Sequence, residues 1–548
     1  MPIVVQDHVQ SKASYAADLP RKVLQTIFEV LRAEHHCTDT RDHGFLSPWI
    51  PATWVSRHWR AVALATPHLW SWIDINGRHC DPDAIATLLT RSGDEDLSVS
   101  LDGQAMDMVA GCAMALPVAP RISHLSMCME EAHAPLVEEL LRHVGERLGT
   151  LQVYCEDEAQ ERGIALDPTQ VPNLRTLSVR NIFVHPTAEL RGLKDLTLEQ
   201  MWDVNVNGRM DVGEYVYGML AVCPDLETLD IEDALPHAAS VEVGAYPQIT
   251  FKKLRWLWVS ELAADLPANL AKFVVPPSAN VNITARYDGC LPESFETATV
   301  IGKEHEQDSN AVLPMNTFPT SKFENFPSLA DTMDLSLRLG TPCSIGDIHI
   351  EGGKWQVTIP SLDDERRQMN RLPELLEHVY TAFPTAFIDP SKIVFLELHI
   401  AEAMPEYDGW AEMLAQFPNV AALTIGGRNA LNEVVIALKG NGKGSNGSGN
   451  LLPKLMQLTA CLAVRKTAVT KGDARAFGML LKERAAQGKM LASLMVRVPD
   501  SPLNKATVHL ASALVAYMAV RGARARVVKK DCPTCHGVEA HHHEGYFE

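Results

Sequence analysis

The chain has too little positive charge to hold nucleic acid. Its 49 Lys and Arg face 68 Asp and Glu, for a formal charge of −19. A phosphate backbone requires a basic face, so no nucleic-acid partner is expected. A cysteine framework is also missing. Eleven cysteines, an odd number, lie scattered from Cys37 to Cys535 without short, regular spacing; this suits reduced thiols in the cytosol or nucleus. Long apolar runs are absent too. Leu510 to Val520 is too short to span a bilayer, and no membrane partner is expected. Asp7, His8 and Gln10 interrupt any apolar leader, so export is not expected. Catalytic signatures are equally scarce: there is no HExxH, no GxSxG and no GxGxxG after a strand pattern. Acidic clusters such as Asp94-Glu95-Asp96 and Asp363-Asp364-Glu365 read as solvated faces or helix starts. The glycine tract at 440–450 contains Lys443, but not at phosphate-loop spacing. Leu451-Leu452-Pro453 follows instead of a helix start, so the tract reads as a flexible loop.

What is present is the material of a globular protein. With 548 residues, 46% hydrophobic and 21% charged, the chain holds more than one domain or one long repeat array. Residues 18–73 stand out. Asp18 is placed to cap a helix, Pro20 to sit in its first turn, and Leu19, Val23, Leu24, Ile27, Phe28 and Leu31 recur at helical spacing. After a polar break from Glu34 to Pro51, Trp54, Val55, His58, Trp59, Val62 and Ala63 are expected on one face of a second helix, which stops before Pro67. Two short helices this rich in Trp and Phe need a partner surface, in the same chain or another.

These residues resemble the F-box family in the form common in mushroom-forming fungi. The likeness rests on Leu19-Pro20, Val23-Leu24, Ile27-Phe28, Val55-Ser56-Arg57-x-Trp59-Arg60 and Pro67-His68-Leu69-Trp70, and spans about a tenth of the chain. The break between the two helices is longer and more polar than in a compact F-box. The resemblance implies a small helical unit docking on a Skp-family adaptor, which joins it to a cullin ubiquitin ligase. Leu19, Pro20, Val23, Ile27, Phe28, Leu31, Val55 and Trp59 would form the docking face, with Arg57 at its rim. It also implies a non-catalytic receptor, ubiquitin transfer belonging to other subunits.

Beyond Asp74 one phrase recurs: aliphatic, two residues, aliphatic, one residue, aliphatic. It begins at Ile122, Leu148, Leu174, Leu193, Leu226, Leu254, Ile393, Val420, Leu455 and Leu491, with Met or Ala closing a few copies. About ten such triplets arise by chance in a chain this aliphatic, so the count alone decides nothing. The lead-ins carry more weight: VPNLRTLSV, CPDLETLDI, FKKLRWLWV and FPNVAALTI each set a turn or aromatic element before the strand. Intervals of about 16 to 36 residues fit leucine-rich repeats. A helix from Asp473 to Ala486, stopped at Gly488, precedes a strand from Leu491 to Val498. The expected fold is therefore α/β: an F-box-like helical unit, then an irregular leucine-rich-repeat-like solenoid with a parallel sheet.

The expected division is a flexible tail at 1–17, the helical unit at 18–75, the repeat region at 76–528 and a tail at 529–548. Between about 276 and 390 the array is expected to be interrupted. A hairpin of Ile345–Ile350 and Trp355–Ile359 turns there at Gly352-Gly353, and a helix candidate spans Leu372 to Phe383. Strand alternation turns Tyr154, Thr176, Arg180, Glu199, Asp230, Glu232, Trp256, Trp258, Phe395, Glu397 and Arg497 outward. Of these, Trp256, Trp258, Glu199, Glu232 and Phe395 are the candidate target-binding residues, because exposed aromatic side chains beside charges anchor protein ligands. Cys532-Pro-Thr-Cys535-His536 has the spacing of covalent haem attachment, which an unexported chain cannot undergo. Zinc held by Cys532, Cys535 and His536 stays open, against the plainer reading of a solvated tail without a second CxxC. No cofactor is expected. Two alternatives stand beside the ligase receptor: a Skp-independent repeat scaffold, and a metal-dependent enzyme using the Cys/His tail.

Overall fold

The computed structural model describes residues 19–37, 49–76, 82–103, 108–155, 163–201, 212–237, 246–262, 265–286, 322–330, 332, 334–339, 348–352, 355–359, 388–400, 410–426, 438, 451–461, 479, 482, 484, 486, 488, 491–498 and 524–529. Several expectations lie outside these residues: the Asp18 cap, the tail at 1–17, most of the break from Glu34 to Pro51, the helix at 372–383, the loop at 440–450, the first residues of the helix from Asp473, and Cys532, Cys535 and His536. The chain is α/β with a large, mostly parallel sheet. It divides into two compact units, residues 1–211 with 221–224, and residues 212–220 with 225–548.

In the first unit, helix α1 (Arg21–Cys37) begins directly after Pro20, whose carbonyl accepts the first helical hydrogen bond from the Leu24 N–H at 3.1 Å. Pro20 thus stands where its missing N–H costs nothing. Helix α2 (Arg57–Leu64) is capped by Ser56, whose hydroxyl accepts from the Trp59 N–H at 3.2 Å. Six strands of the large sheet follow: β1 (Trp72–Asn76), β2 (Leu97–Asp102), β3 (Ile122–Met129), β4 (Thr150–Cys155), β5 (Thr176–Arg180) and β6 (Asp195–Glu199). Each pairs parallel with the one before it in chain order. The crossovers that parallel pairing requires contain helices α3 (Pro82–Arg91), α4 (Met108–Ala115) and α5 (Ala134–Val144).

The register aligns apolar side chains in rows across the sheet. Ile73, Val99, Leu125, Leu151, Leu177 and Leu196 form one row, and Ile75, Leu101, Met127, Val153, Val179 and Leu198 the next. Every one of them is buried. Their neighbours alternate outward to half-buried positions, as in β2 and β4. Parallel sheets are commonly covered on both faces; here the described residues seal only one. Leu151 lies mid-row at 0% exposure. Leu151→Ala is expected to cost about 2–5 kcal/mol in urea unfolding, whereas Gln152→Ala, next along the strand on the other face, loses a hydrogen bond to His124 and costs about 1 kcal/mol. Equal effects would contradict this one-sided core.

The second unit repeats the scheme. Helix α6 (Val212–Ala221) leads to β7 (Thr228–Glu232), β8 (Trp256–Leu262) and β9 (Asn280–Arg286), all parallel. Next come β10 (Asp334–Leu339), β11 (Ile348–Gly352) and β12 (Trp355–Ile359), then β13 (Phe395–Ile400), β14 (Ala422–Gly426), β15 (Gln457–Cys461), β16 (Ser493–Val498) and β17 (Arg524–Lys529). The expected hairpin forms, with Ile350 opposite Val357 and Gly352 opposite Trp355. The expected irregular middle holds the antiparallel pairings of the large sheet. Strand β12 pairs parallel with β9, β11 joins β12 to β10 in antiparallel fashion, and β10 pairs parallel with β13. The middle therefore extends the sheet through one reversed strand, because the chain enters on the far side of the hairpin and leaves from it.

All ten aliphatic triplets lie at strands. Ile122 opens β3, and each of the other nine begins two residues before its strand. The first residue of every triplet is buried. The residues just ahead of the strands are bonded to one another: the Arg175 N–H donates to the Gly149 carbonyl at 2.8 Å, Lys194 to Arg175 at 2.7 Å, and Met456 to Ala421 at 2.8 Å. These bonds extend the ladder backward by one step, which is why the lead-in recurs with the strand. At the C-terminal end, Met479, Lys482, Arg484 and Ala486 are helical, and Gly488 takes φ 76°, the left-handed turn that stops a helix.

Candidate functional site

Two surfaces emerge, one in each unit. The first is built on α1 and α2. Leu24, Phe28, Trp49, Trp59, Val62, Ala63, Leu69 and Trp70 form a closed apolar core. Edge-to-face ring pairs hold it: Phe28 with Trp59 at 5.8 Å, Phe28 with Trp49 at 6.2 Å, and Trp49 with Trp70 at 4.8 Å. The Trp70 indole N–H donates to the Ala63 carbonyl at 2.9 Å, so its one polar group is satisfied. Arg21 donates to the Ala65 carbonyl at 3.0 Å and Arg32 to the His68 carbonyl, fastening α1 to the segment after α2.

This packing divides the expected docking residues between core and surface. Phe28 at 0% and Trp59 at 8% exposure point into the unit's own core. Leu19, Ile27 and Leu31 are half-buried against that core, while Pro20, Val23, Val55 and Arg57 are exposed. The expected common face of the second helix is corrected. Ser56 has extended backbone and starts a new helix, so the short turn Pro51–Trp54 before it is out of phase with α2. Trp54 and Val55 therefore turn outward at 64% and 54% exposure, whereas Trp59, Val62 and Ala63 turn inward.

Sequence reasoning missed Val30 and Leu64, which are exposed as well. Val30 follows Val23 by seven residues, with Ile27 between them, and that i, i+4, i+7 stripe was the available signal. A cleft of about 250 Å³ opens beside Trp54, Leu64, Trp70 and Leu88, with Arg60 and Arg91 on its walls. The Arg91 guanidinium lies 4.3 Å above the Trp70 ring.

The second surface is the open sheet face of the second unit. In register, Trp256 stands between Thr228 and Asn280, Trp258 between Asp230 and Asn282, and Ser260 between Glu232 and Thr284. The Trp256 and Trp258 rings stack at 5.4 Å with 6° between their planes, and Trp256 is 45% exposed. Burial in the first place, and the neighbouring Glu232 in the second, push the Asp230 carboxyl above the usual carboxylate range. The five candidate target residues lie on strands of both units. Glu232, Trp256 and Trp258 adjoin, but Phe395 lies on β13, five strand spacings or roughly 24 Å from β8. Glu199 belongs to the first unit, on β6 beside Arg180 of β5. Phe395 is nevertheless outward, at 40% exposure.

At the end of the same three strands sits a buried acid that sequence reasoning did not single out. Glu261 is 3% exposed, and its Oε1 accepts from the backbone N–H groups of Ala234 and Leu235 at 2.7 and 2.9 Å. Burial raises its pKa to about 8, the neighbouring Asp265 and Glu232 add to that rise, and the two N–H donors oppose it. Nearby, His237 Nδ1–H donates to Asp265 Oδ2 at 2.8 Å, and Arg286 pairs with Asp233. The role of Glu261 is to hold the loop after β7, since a carbonyl-type oxygen there satisfies two buried donors. Among the described residues, no group of three or more His, Cys, Asp or Glu is placed to hold a metal ion, and no helix is long and apolar enough to cross a membrane. No protein-family model matches the chain, and no curated protein matches it.

Proposed function

We propose that the chain is a substrate receptor of an SCF-type cullin ubiquitin ligase, acting without chemistry of its own in the cytosol or nucleus. The helical pair at 19–71 docks a Skp-family adaptor, and the strand array is an irregular leucine-rich-repeat-like solenoid that holds a protein target. The observation that carries this reading is the distribution of apolar side chains on the helical unit. Its core is already closed, yet Val23, Val30, Trp54, Val55 and Leu64 remain exposed, at and around the positions of the F-box resemblance. A closed core has no internal use for this surplus, and exposed apolar groups of this kind mark protein contacts. For the array, the support is the coincidence of the ten triplets with ten strands and the open polar face that the one-sided burial leaves.

Co-purification of the intact chain with a Skp-family adaptor tests the first half. The double change Val23→Asp and Val55→Asp is expected to abolish capture while leaving the circular-dichroism melt unchanged, since both side chains are exposed. Capture that survives both aspartates would remove the docking face. The closure of the Phe28–Trp59 core within the chain favours one other reading, a repeat scaffold that binds no adaptor. Under that reading the intact chain captures no adaptor at all, so the same measurement separates the two.

A further inference from the structure

The face of β7, β8 and β9 has a charge and hydrogen-bonding character that narrows what it receives. Two stacked indoles present an extended π surface with Trp256 half exposed. In register beside them are Asp230 and, one step along the strand, Glu232. Among the described residues, the Asp230 side chain forms no ion pair or hydrogen bond, and Glu232 interacts electrostatically with Arg286. Arg286 pairs with Asp233 and also attracts Glu232, so one guanidinium faces three carboxylates. On the other side of Trp258, the Asn282 side-chain oxygen is buried without a donor. An acceptor in that state is missing a bond worth having. Burial, and then the neighbouring Glu232, hold the Asp230 carboxyl above the usual range, so a cation set beside it is favoured.

We propose that this face holds an arginine side chain of a partner polypeptide, its guanidinium stacked on the Trp256–Trp258 pair and bonded to Asp230 and Glu232. A guanidinium carries five N–H donors and no acceptor, lies flat on aromatic rings and forks onto carboxylates. It therefore meets the two exposed features of the patch at once: the π surface and the carboxylates. An ammonium supplies the charge but not the planar stack. The acidic net charge of the chain, −19, favours approach of a basic segment in the same direction. This inference rests on the reading of the open sheet face as the target-binding surface.

The test uses the full chain and a capped peptide carrying three arginines spaced by Gly-Ser, immobilised for biolayer interferometry, with lysine and citrulline versions in parallel. The arginine peptide is expected to bind about fivefold or more tightly than the lysine peptide, and the uncharged citrulline peptide to bind negligibly. Asp230→Asn with Glu232→Gln, nearly isosteric and on a solvent-facing surface, is expected to weaken the arginine peptide about tenfold or more. Asp94→Asn, an exposed acid of the first unit, is expected to leave binding unchanged. Trp256→Ala adds the stacking contribution, with the thermal melt as control for folding. Equal binding of arginine and lysine peptides, or loss with salt alone and no response to the Asp230 and Glu232 changes, would reduce the effect to bulk charge and overturn the proposal. Proximity labelling of the same variants in cells separates this inference from its foundation. If labelled targets are lost while the peptides fail to bind, the face is a target site for another chemistry. If neither responds, the target-site reading falls too.

Discussion

Phe28→Ala is expected to destabilise the first unit by about 3–5 kcal/mol, with loss of adaptor capture as a consequence of unfolding and not of a missing contact. The side chain is fully buried and meets Trp59 and Trp49 edge to face. Removing it empties the centre of the ring cluster, and neither indole can rotate into the gap without leaving its partner. Urea unfolding followed by near-ultraviolet circular dichroism reads this, because Trp49 and Trp59 are among the ten tryptophans that contribute to the signal. Val23→Asp, by contrast, sits on an exposed position four residues before Ile27 and is expected to change stability by about 0.5 kcal/mol or less. A Phe28→Ala protein as stable as the parent would mean that the core is not closed as described. The phenylalanine would then be free to face a partner.

Glu261 is expected to make stability fall as pH rises from about 4.5 to about 8. Its folded pKa is raised to about 8, and the cause is burial first, then the surrounding carboxylates. Over this window the unfolded chain has released the proton while the folded chain still binds it. The folded state therefore binds more protons, and stability declines with pH until both states are ionised. The full difference corresponds to something on the order of 4 kcal/mol. Glu261→Gln keeps an oxygen for the Ala234 and Leu235 N–H groups but cannot ionise. The melting temperature of that variant is expected to match the parent near pH 4.5 and to exceed it by a widening margin toward pH 9. Glu261→Leu behaves differently: it strands two buried donors, each costing about 1–3 kcal/mol, and is destabilising even at acid pH. A Gln variant that tracks the parent across the whole pH range would show that Glu261 is not the titrating group.

The strand array was largely legible in the chain. Period-two alternation after an aliphatic lead-in located ten strands, including those at Thr150, Trp256 and Gln457, and the Gly352-Gly353 pair pointed to the antiparallel β11–β12 pairing. A strand's two faces are set by adjacent residues, so burial of Leu257 and Val259 and outward placement of Trp256 and Trp258 follow from local order alone. The helical pair was less legible. Val23 and Phe28 share a hydrophobic pattern, yet one is 44% exposed and the other 0%. A helix as rich in apolar residues as α1 offers more than one candidate stripe, and the residues that close the core arrive from elsewhere: Trp49, Leu69 and Trp70. The phase break at Ser56 was hidden for a similar reason. A serine before an apolar run is a cap only if the backbone turns there.

Local chemistry alone settled that the chain is α/β, that its strands carry one apolar edge and one polar edge, and that a Trp-rich helical segment precedes them. Strand order, the reversed strand at β11 and the partnership of Asp230 with Trp258 required the folded molecule. So did the split of the candidate target residues between two units and the protonation of Glu261. The distinction is one of range. Side-chain alternation and capping act over a few neighbouring residues and are written in their order. Register between strands, and the dielectric around a buried carboxylate, depend on segments tens of residues apart, and no local pattern encodes which of them will meet.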